Sequence, residues 1–249
     1  MDLRKKKPPH GGFFISSAKS IDVADKIRTI VYVDGFNLYF GCLKSNKARR
    51  WLDIQKLFNR LCHENDPLSD VVEIKYFTAP IKSKLSPRGA VSSEAQSIYL
   101  RALEKHCQRL TVVLGHYQIV RNTLLLDQSP INFDQKVAVI RPEEKQTDVN
   151  IAVHMLCDAA EELCDQQVLV TNDTDCVPIL KAIREKYPSI RLGVIAPLPD
   201  GEKERRPSAE LVHLSDWSRN SFRDEELRDS QLPDIVKTKK RYLRKPSHW

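Results

Sequence analysis

The sequence lacks several features that would assign it at once to a common class. None of its apolar runs reaches membrane-spanning length, and the charged stretch RKKKPPHGGFF near its start is not followed by an apolar segment of secretory length. Its six cysteines include no C-x-x-C pair, which argues against a zinc ribbon or a disulfide scaffold. Neither a G-x-G-x-x-G motif nor a P-loop lysine is present. We therefore expect a cytoplasmic protein with free thiols and no membrane partner.

Positive charge is concentrated at the two ends of the chain. The 249 residues carry a formal net charge of +7. Residues 1–10 carry +3 and residues 237–249 carry +6, which leaves −2 for the residues between them. Either the ends are solvated tails that aid solubility, or one of them lies along a phosphate backbone. We expect a flexible basic N-terminal segment (1–27), a globular domain (28–215) and a basic C-terminal extension (216–249).

Apolar segments typical of strands alternate with helical patterns along the predicted domain. The strand at 111–120 could also form a hairpin with residues 123–126. The predicted strands cover 29–33, 71–79, 111–120, 136–140, 168–170 and 190–197. The predicted helices cover 51–62, 92–110 and the stretches that follow Thr147 and Asp175. Strands and helices that alternate at this interval indicate a parallel sheet with helices on both faces.

The helix that Thr147 is predicted to cap has a dense apolar pattern. A face directed toward the core is expected from the residues that recur at helical spacing. These residues are Val149, Ala152, Val153, Leu156, Ala160 and Leu163.

Carboxylates follow three of the predicted strands. Asp34 comes directly after TIVYV, Asp148 follows the strand at 136–140, and Asp173 and Asp175 follow VLV. Ligands of open parallel sheets bind beyond the carboxyl ends of the strands, so neighbouring strands would bring these four acids together. An aspartate between a strand and a helix is also a common N-cap, which is the alternative interpretation for any one of them.

Four carboxylates at one place repel each other unless a cation lies between them. Mg²⁺ or Mn²⁺ accepts carboxylate oxygens together with waters and the phosphate of a substrate. Such an ion polarises a phosphodiester and lowers the pKa of a bound water. The acidic turns therefore predict a divalent metal site suited to phosphodiester hydrolysis.

Three motifs together resemble the NYN domain family, a branch of the PIN-like nucleases, in its bacterial stand-alone type. The motifs are VYVDGFNLYFG, EEKQTDVNIAVHMLCDAA and VLVTNDTDCVPIL, and the resemblance covers about residues 28–215. It implies a Rossmann-like (PIN-like) α/β three-layer sandwich with a central, mainly parallel sheet. It also implies Mg²⁺- or Mn²⁺-dependent endoribonuclease activity.

The resemblance assigns roles to individual residues. Asp34, Asp148, Asp173 and Asp175 would bind the metal and carry catalysis. Asn37 would steer a bound water or the substrate as a further catalytic residue. The residues implied near the substrate are Lys145, which would meet a phosphate, Asn172 in the last acidic turn, and Thr171, which would hold that turn.

Two positions depart from the family pattern. Gln146 replaces the common glycine of EKG-x-D, and TNDTDC replaces SGDxDF, yet neither change removes an acid. A side chain at Gln146 would narrow access to the site.

Two functions compatible with these residues remain open. The first is a metal-dependent endoribonuclease that cuts single-stranded or structured RNA. The alternative is a PIN-like module that binds RNA or a protein with little or no turnover. A phosphatase of the haloacid dehalogenase type would need a second acid at Phe36, which is missing. A homodimer is left open.

Overall fold

The computed structural model describes residues 26–85 and 88–249, so the predicted basic segment 1–27 lies outside it except for its last two residues. Within these residues the ten strands are β1 (Ile27–Asp34), β2 (Ser69–Thr78), β3 (Leu110–Leu114), β4 (His116–Leu125), β5 (Lys136–Lys145), β6 (Gln166–Val170), β7 (Arg191–Ile195), β8 (Trp217–Arg219), β9 (Ile235–Lys237) and β10 (Tyr242–Arg244).

Seven α-helices lie between these strands in the same part of the chain. They are α1 (Gly35–Leu38), α2 (Ile54–Asn65), α3 (Ala90–His106), α4 (Thr147–Ala160), α5 (Val177–Lys186), α6 (Ala209–Leu214) and α7 (Asp224–Asp229). A π-helical turn over Tyr39–Leu43 continues α1, and 3₁₀ turns cover Lys47–Arg49, Ser83–Leu85 and Thr174–Cys176. None of the helices that could be traced in residues 26–85 and 88–249 has the length and hydropathy of a membrane span.

Six strands form one parallel sheet in the order β3-β2-β1-β6-β7-β8. Every neighbouring pair in it runs parallel. The chain first winds outward from β1 to β3 and then outward on the other side from β6 to β8. The strand order therefore reverses between β1 and β6, which is where ligands bind in doubly wound folds. The predicted Rossmann-like α/β class is confirmed.

The sheet is covered by helices on both faces because its central strands are apolar on both sides. On one face Val31 and Val33 of β1 belong to a core cluster that includes Phe58 of α2 and Leu103 of α3. On the other face Tyr32 packs in a cluster with residues of α4, α5 and α6. The sheet lies between these two core clusters and the helices that cover them, which gives the predicted three layers.

The strand predicted at 136–140 lies outside this sheet, contrary to its expected place among the parallel strands. It belongs to β5, which pairs antiparallel with β4 along ten residues as a separate two-stranded ribbon. Its apolar residues Val137 and Ile140 are exposed. An apolar run of this length fits either a buried strand or a hairpin, and periodicity alone does not distinguish them.

The face of α4 that was predicted to be buried is largely exposed. Val149 and Val153 are 64% and 53% exposed, whereas Ile151 and Met155 are fully buried. The helix has two apolar stripes, and the buried one carries Asp158, which forms an ion pair with a lysine of β2. A buried carboxylate is an improbable core residue on sequence criteria, which is why the pattern indicated the other stripe.

Residues 216–249 pack onto the sheet and its helices. They supply β8 at the edge of the sheet, and Phe222, Leu227 and Leu243 enter the core cluster beside α2 and α3. The ring centroid of Trp249 lies 6.2 Å from that of Trp51. The carboxyl end of the chain therefore closes one side of the domain.

Gly35 is required by a close approach between α1 and β2. A Cβ atom at this position would lie 2.6 Å from the carbonyl oxygen of Phe77 and 2.8 Å from Cζ of Tyr76. We expect Gly35→Ala to lower the free energy of unfolding by about 1–3 kcal/mol, because backbone atoms must move to admit the methyl group. Urea unfolding of both proteins measures this. Stability equal to that of the wild type would contradict the close approach.

Candidate active site

The predicted acids meet at the crevice where the strand order reverses. Asp34 ends β1, and the segment Thr171–Asp175 follows the neighbouring strand β6. α4 begins beside them and contributes Asp148 from its first turn. Because the β4–β5 ribbon, which lies outside the sheet, precedes α4, Asp148 reaches the crevice from a helix N-terminus rather than from a third strand of the sheet.

Asp34 is buried, at 2% exposure, and is held by four hydrogen bonds. Its Oδ1 accepts from the backbone N–H of Phe36 and Asn37 at 3.0 and 2.9 Å, as an N-cap does. Its Oδ2 accepts from Nδ2 of Asn37 at 2.7 Å and from the hydroxyl of Thr171 at 2.9 Å. Burial raises the pKa of Asp34, and these hydrogen bonds oppose that rise. Asp34 is thus both a helix cap and a fixed carboxylate at the floor of the crevice.

The last acidic turn is organised by Thr171. The backbone N–H of Asp173 donates to Oγ1 of Thr171 at 3.1 Å, and the same hydroxyl donates to Asp34. Oδ1 of Asp173 then accepts from the backbone N–H of Asp175 at 3.1 Å and starts the 3₁₀ turn. One hydroxyl therefore links the ends of β1 and β6, and Asp173 and Asp175 are left at the open side of the crevice.

Asp148 responds to the charges around it. Burial first, and then the neighbouring charges of Asp34, Asp173, Glu144 and Asp175 in that order of strength, together raise its pKa to about 6. A carboxyl group whose pKa is raised by four other carboxylates lies within their common field. The structure thus brings the four predicted acids to one place.

The thiol of Cys176, inside the last acidic turn, is affected by the same four aspartates. Cys176 is buried, and burial raises the pKa of its thiol, as do the charges of Asp148, Asp34, Asp173 and Asp175. Such a thiol is protonated and a poor nucleophile. Cys176 is therefore a packing residue.

Glu144 is an acid of the crevice that sequence reasoning missed. One of its carboxylate oxygens accepts from the hydroxyl of Thr147 and, at 3.1 Å, from the backbone N–H of Thr147. This contact ties the end of β5 to the first turn of α4 and keeps the charge near Asp148. Its only signal in the sequence is its place four residues before Asp148, just beyond the strand predicted at 136–140.

Asn37 and Asn172 connect the two strand ends. Oδ1 of Asn37 accepts from the backbone N–H of Asn172 at 3.3 Å, while its Nδ2 holds Asp34. The side chain of Asn172 donates to the carbonyl of Arg206 at 2.9 Å and accepts from the backbone N–H of Ser208 at 2.7 Å. Asn172 therefore anchors the segment before α6, and its contact with a substrate stays a prediction.

Lys145 lies at the end of β5, next to the crevice. Its Nζ pairs with Glu143 at 2.8 Å, and both side chains remain partly exposed. An exposed pair of this kind is weak and exchanges readily with an incoming anion. The predicted contact between Lys145 and a phosphate stays a prediction.

Gln146 occupies a backbone conformation that explains the glycine common in the family. Its φ is +80°, in the left-handed region, and it stands at the cap position of α4, one residue before the predicted cap Thr147. Oε1 of Gln146 lies 3.0 Å from Nδ1 of His116. The departure from the family pattern therefore places a strained residue beside the site.

Substitutions at Gln146 test this strain. We expect Gln146→Val to lower the free energy of unfolding by about 1–2 kcal/mol, because a β-branched residue fits poorly at positive φ. Gln146→Gly is expected to change it by less than about 1 kcal/mol, because relief of the strain offsets the greater freedom of the unfolded chain. Urea unfolding compares the two variants. Equal stability of the valine and glycine variants would contradict the assigned conformation.

The donor set of the crevice fits a hydrated divalent cation. Asp34, Asp148, Asp173 and Asp175 make no ion pair with a lysine, arginine or histidine of the described residues. The same residues contain no group of three or more His, Cys, Asp or Glu side chains already close enough to chelate an ion. Mg²⁺ keeps several waters and takes one or two carboxylates directly, so it does not need a collapsed cage. The oxygens of these four carboxylates, which no cationic side chain of the described residues neutralises, match that requirement.

Comparison with known proteins defines the class. The profile of the NYN domain matches residues 28–208, which is most of the chain. The protein belongs to the NYN domain family, within the PIN-like nuclease superfamily. The resemblance in the three sequence motifs is thereby confirmed.

The chain is also similar to individual proteins, one by sequence and one by structure. The chain is 32% identical over 246 residues to 6-hydroxy-3-succinoylpyridine 3-monooxygenase HspA from Pseudomonas putida (strain DSM 28022 / S16), with 91% of this chain and 76% of the relative covered. A crystal structure of a protein of unknown function from Vibrio parahaemolyticus RIMD 2210633 is 17% identical with a TM-score of 0.47. That match covers 85% of this chain and 100% of the other.

Proposed function

We propose that the protein is a metal-dependent endoribonuclease that hydrolyses phosphodiester bonds of single-stranded or structured RNA. The observation that carries this proposal is the group of four carboxylates at the strand-order reversal, whose charges are not balanced by a cationic side chain of the described residues. A divalent cation and the phosphate that it binds are the natural complement of such a site. Location in the cytoplasm and RNA as the partner belong to the same proposal.

The four predicted acids and Asn37 would each have a part in this reaction. Asp34, Asp148, Asp173 and Asp175 would hold Mg²⁺ or Mn²⁺, which when bound supplies Lewis-acid polarisation of the phosphate. Asn37 fixes Oδ2 of Asp34 through a hydrogen bond of 2.7 Å and so orients that carboxylate toward the crevice.

Residues around the acids would place the RNA strand. Thr171 keeps the ends of β1 and β6 in register through its two hydrogen bonds. Lys145 would leave Glu143 to meet a phosphate oxygen of the strand. Exposed Lys239 and Lys240 near the carboxyl end would add affinity that does not depend on sequence.

The proposal is tested by incubating end-labelled RNA with the purified protein. A single-stranded RNA and a hairpin are each compared in Mn²⁺, in Mg²⁺ and in EDTA, and the products are mapped. We expect internal cuts with either ion and intact RNA in EDTA. A mobility shift with intact RNA under all three conditions would support the binding module instead, and neither shift nor cleavage would reject both.

A second candidate is oxygenation of a small aromatic substrate. The Pseudomonas putida relative is named as a monooxygenase of 6-hydroxy-3-succinoylpyridine, and its similarity extends over 91% of this chain. The observation in this chain that favours the candidate is a cavity with aromatic walls directly beside Asp34. Such a reaction would place one atom of O₂ on the ring and reduce the other to water with two electrons from a reduced nicotinamide or flavin.

Oxygen consumption decides this second candidate. The protein is mixed with 6-hydroxy-3-succinoylpyridine, FAD and NADH, and O₂ uptake is followed with an electrode. Uptake that depends on the pyridine, with a hydroxylated product by mass spectrometry, would establish an oxygenase. Uptake equal to that of a reaction without protein would remove the candidate.

A further inference from the structure

A large cavity adjoins the acidic crevice and is not used by the proposed hydrolysis. Its volume is about 480 Å³, within the range of sites that take small ligands. Gly35 and Phe36, which directly follow Asp34, are among the residues that line it. The rest is built from the π-helical turn, the end of β2 and the loop after it, α3, the β4–β5 ribbon, and the last two residues of the chain.

Seven aromatic side chains line this cavity. They are Phe36, Tyr39, Phe40, Tyr76, Tyr99, Tyr117 and Trp249. Several are held in place by one another. The rings of Phe36 and Tyr117 meet edge to face with centroids 5.7 Å apart, and those of Tyr99 and Trp249 do so at 5.7 Å. Fixed aromatic faces of this kind can stack on a planar ring.

The charges around the cavity are of one sign. Lys44, Arg50, Lys82 and Arg88 line it, and no aspartate or glutamate of the described part of the chain does. Lys44, Arg50 and Lys82 form no ion pair within those same residues. Nε and Nη2 of Arg50 donate to the carbonyls of Leu43 and Lys44, which fixes the guanidinium at the rim.

We propose that this cavity binds a planar aromatic ring that carries a negatively charged group. The ring would lie among the aromatic side chains, and the anion would meet Lys44, Arg50 or Lys82. The carboxylates beyond Phe36 would repel the anion, so only one orientation in the cavity is favourable. A neutral ring would lack the ion pair with these cations, and an anion without a ring would lack the stacking on the aromatic side chains.

Two sources supply this chemistry. One is a nucleotide of an RNA strand, whose base would enter the cavity while its phosphate stays at the rim. The other is a free aromatic acid. The inference concerns binding alone and holds whether or not the protein cleaves RNA, so its failure and that of the proposed ribonuclease are separate results.

Calorimetric titration without added metal tests the inference with two matched pairs of probes. Uridine 5′-monophosphate is compared with uridine, and pyridine-3-carboxylate with pyridine-3-carboxamide. We expect at least one anion to bind about tenfold more tightly than its neutral partner, as one charged hydrogen bond supplies. Binding of the nucleotide alone identifies RNA as the source, and binding of the carboxylate alone identifies a free acid.

Substitutions then assign the binding to the cavity. Lys44→Gln and Lys82→Gln alter exposed side chains and should weaken the anion about threefold to tenfold without affecting its neutral partner. Trp249→Ala should weaken both members of a pair. Lys186→Gln, an exposed lysine at the end of α5, is the matched control and should change nothing.

Three results would overturn the inference. They are the absence of binding by both anions at about 1 mM, equal affinity for an anion and its neutral partner, and affinities that the three cavity variants leave unchanged. Melting temperatures of all variants are measured in parallel, so that a loss of binding is credited only to folded protein.

Discussion

Replacing Asp173 by asparagine is expected to lower the rate of metal-dependent RNA cleavage by at least about 10³-fold. The substitution removes one negative charge from the open side of the crevice and keeps the shape of the side chain. An asparagine Oδ1 can still accept from the backbone N–H of residue 175, so the cap of the 3₁₀ turn survives. The loss should therefore appear in the rate of cleavage and not in stability.

Asp173 is a sharper choice for this test than Asp34. Asp34 accepts four hydrogen bonds, and an amide nitrogen at Oδ2 would face the donors of Asn37 and Thr171. Asp34→Asn should therefore lose stability as well as activity, because buried donors are left without acceptors.

The matched control for Asp173→Asn is Asp127→Asn, the same chemical change at an exposed position between β4 and β5. Initial rates with Mn²⁺, melting temperatures and RNA mobility shifts are measured for the wild type, Asp173→Asn and Asp127→Asn. We expect Asp173→Asn to retain its melting temperature and its RNA shift. Cleavage at the rate of the Asp127→Asn control would end the claim that the carboxylates hold a catalytic ion.

The part of the site that the sequence predicts is the part built from single strands and their ends. TIVYV and VLV are apolar on both faces, so they must be central strands, and an acid after a central strand must lie at the edge where ligands bind. Asp34 and Asp173 follow from that reasoning alone. Their adjacency is a consequence of β1 and β6 being neighbours, which the sequence left open and the sheet order shows.

The rest depends on contacts between distant segments. Glu144 enters the crevice because β5 pairs with β4 and not with the sheet, and the run VAVI is equally compatible with both. The aromatic cavity brings Trp249 next to Tyr99, which is far away along the chain. Periodicity carries no information on such pairs. It also favoured the wrong stripe of α4, because only the partner of Asp158 makes that carboxylate a core residue.

That partner is Lys75, and separating the two is expected to have the largest effect on stability. Nζ of Lys75 lies 2.7 and 2.8 Å from the carboxylate oxygens of Asp158, and both side chains are buried. The hydroxyl of Tyr32 donates to Asp158 at 2.7 Å. We expect Lys75→Met to lower the free energy of unfolding by about 3–5 kcal/mol, because it leaves a buried carboxylate without its cation.

The double variant Lys75→Met/Asp158→Leu separates the value of the pair from the cost of breaking it. Attraction within a buried pair barely exceeds the cost of removing both charges from water, so two apolar side chains should recover most of the lost stability. Lys181→Met, which breaks an exposed pair with Glu210, is the control and should cost less than about 1 kcal/mol. Urea unfolding measures all three variants. A double variant as unstable as Lys75→Met would mean that the pair itself, and not the stranded charge, stabilises the packing of α4 on the sheet.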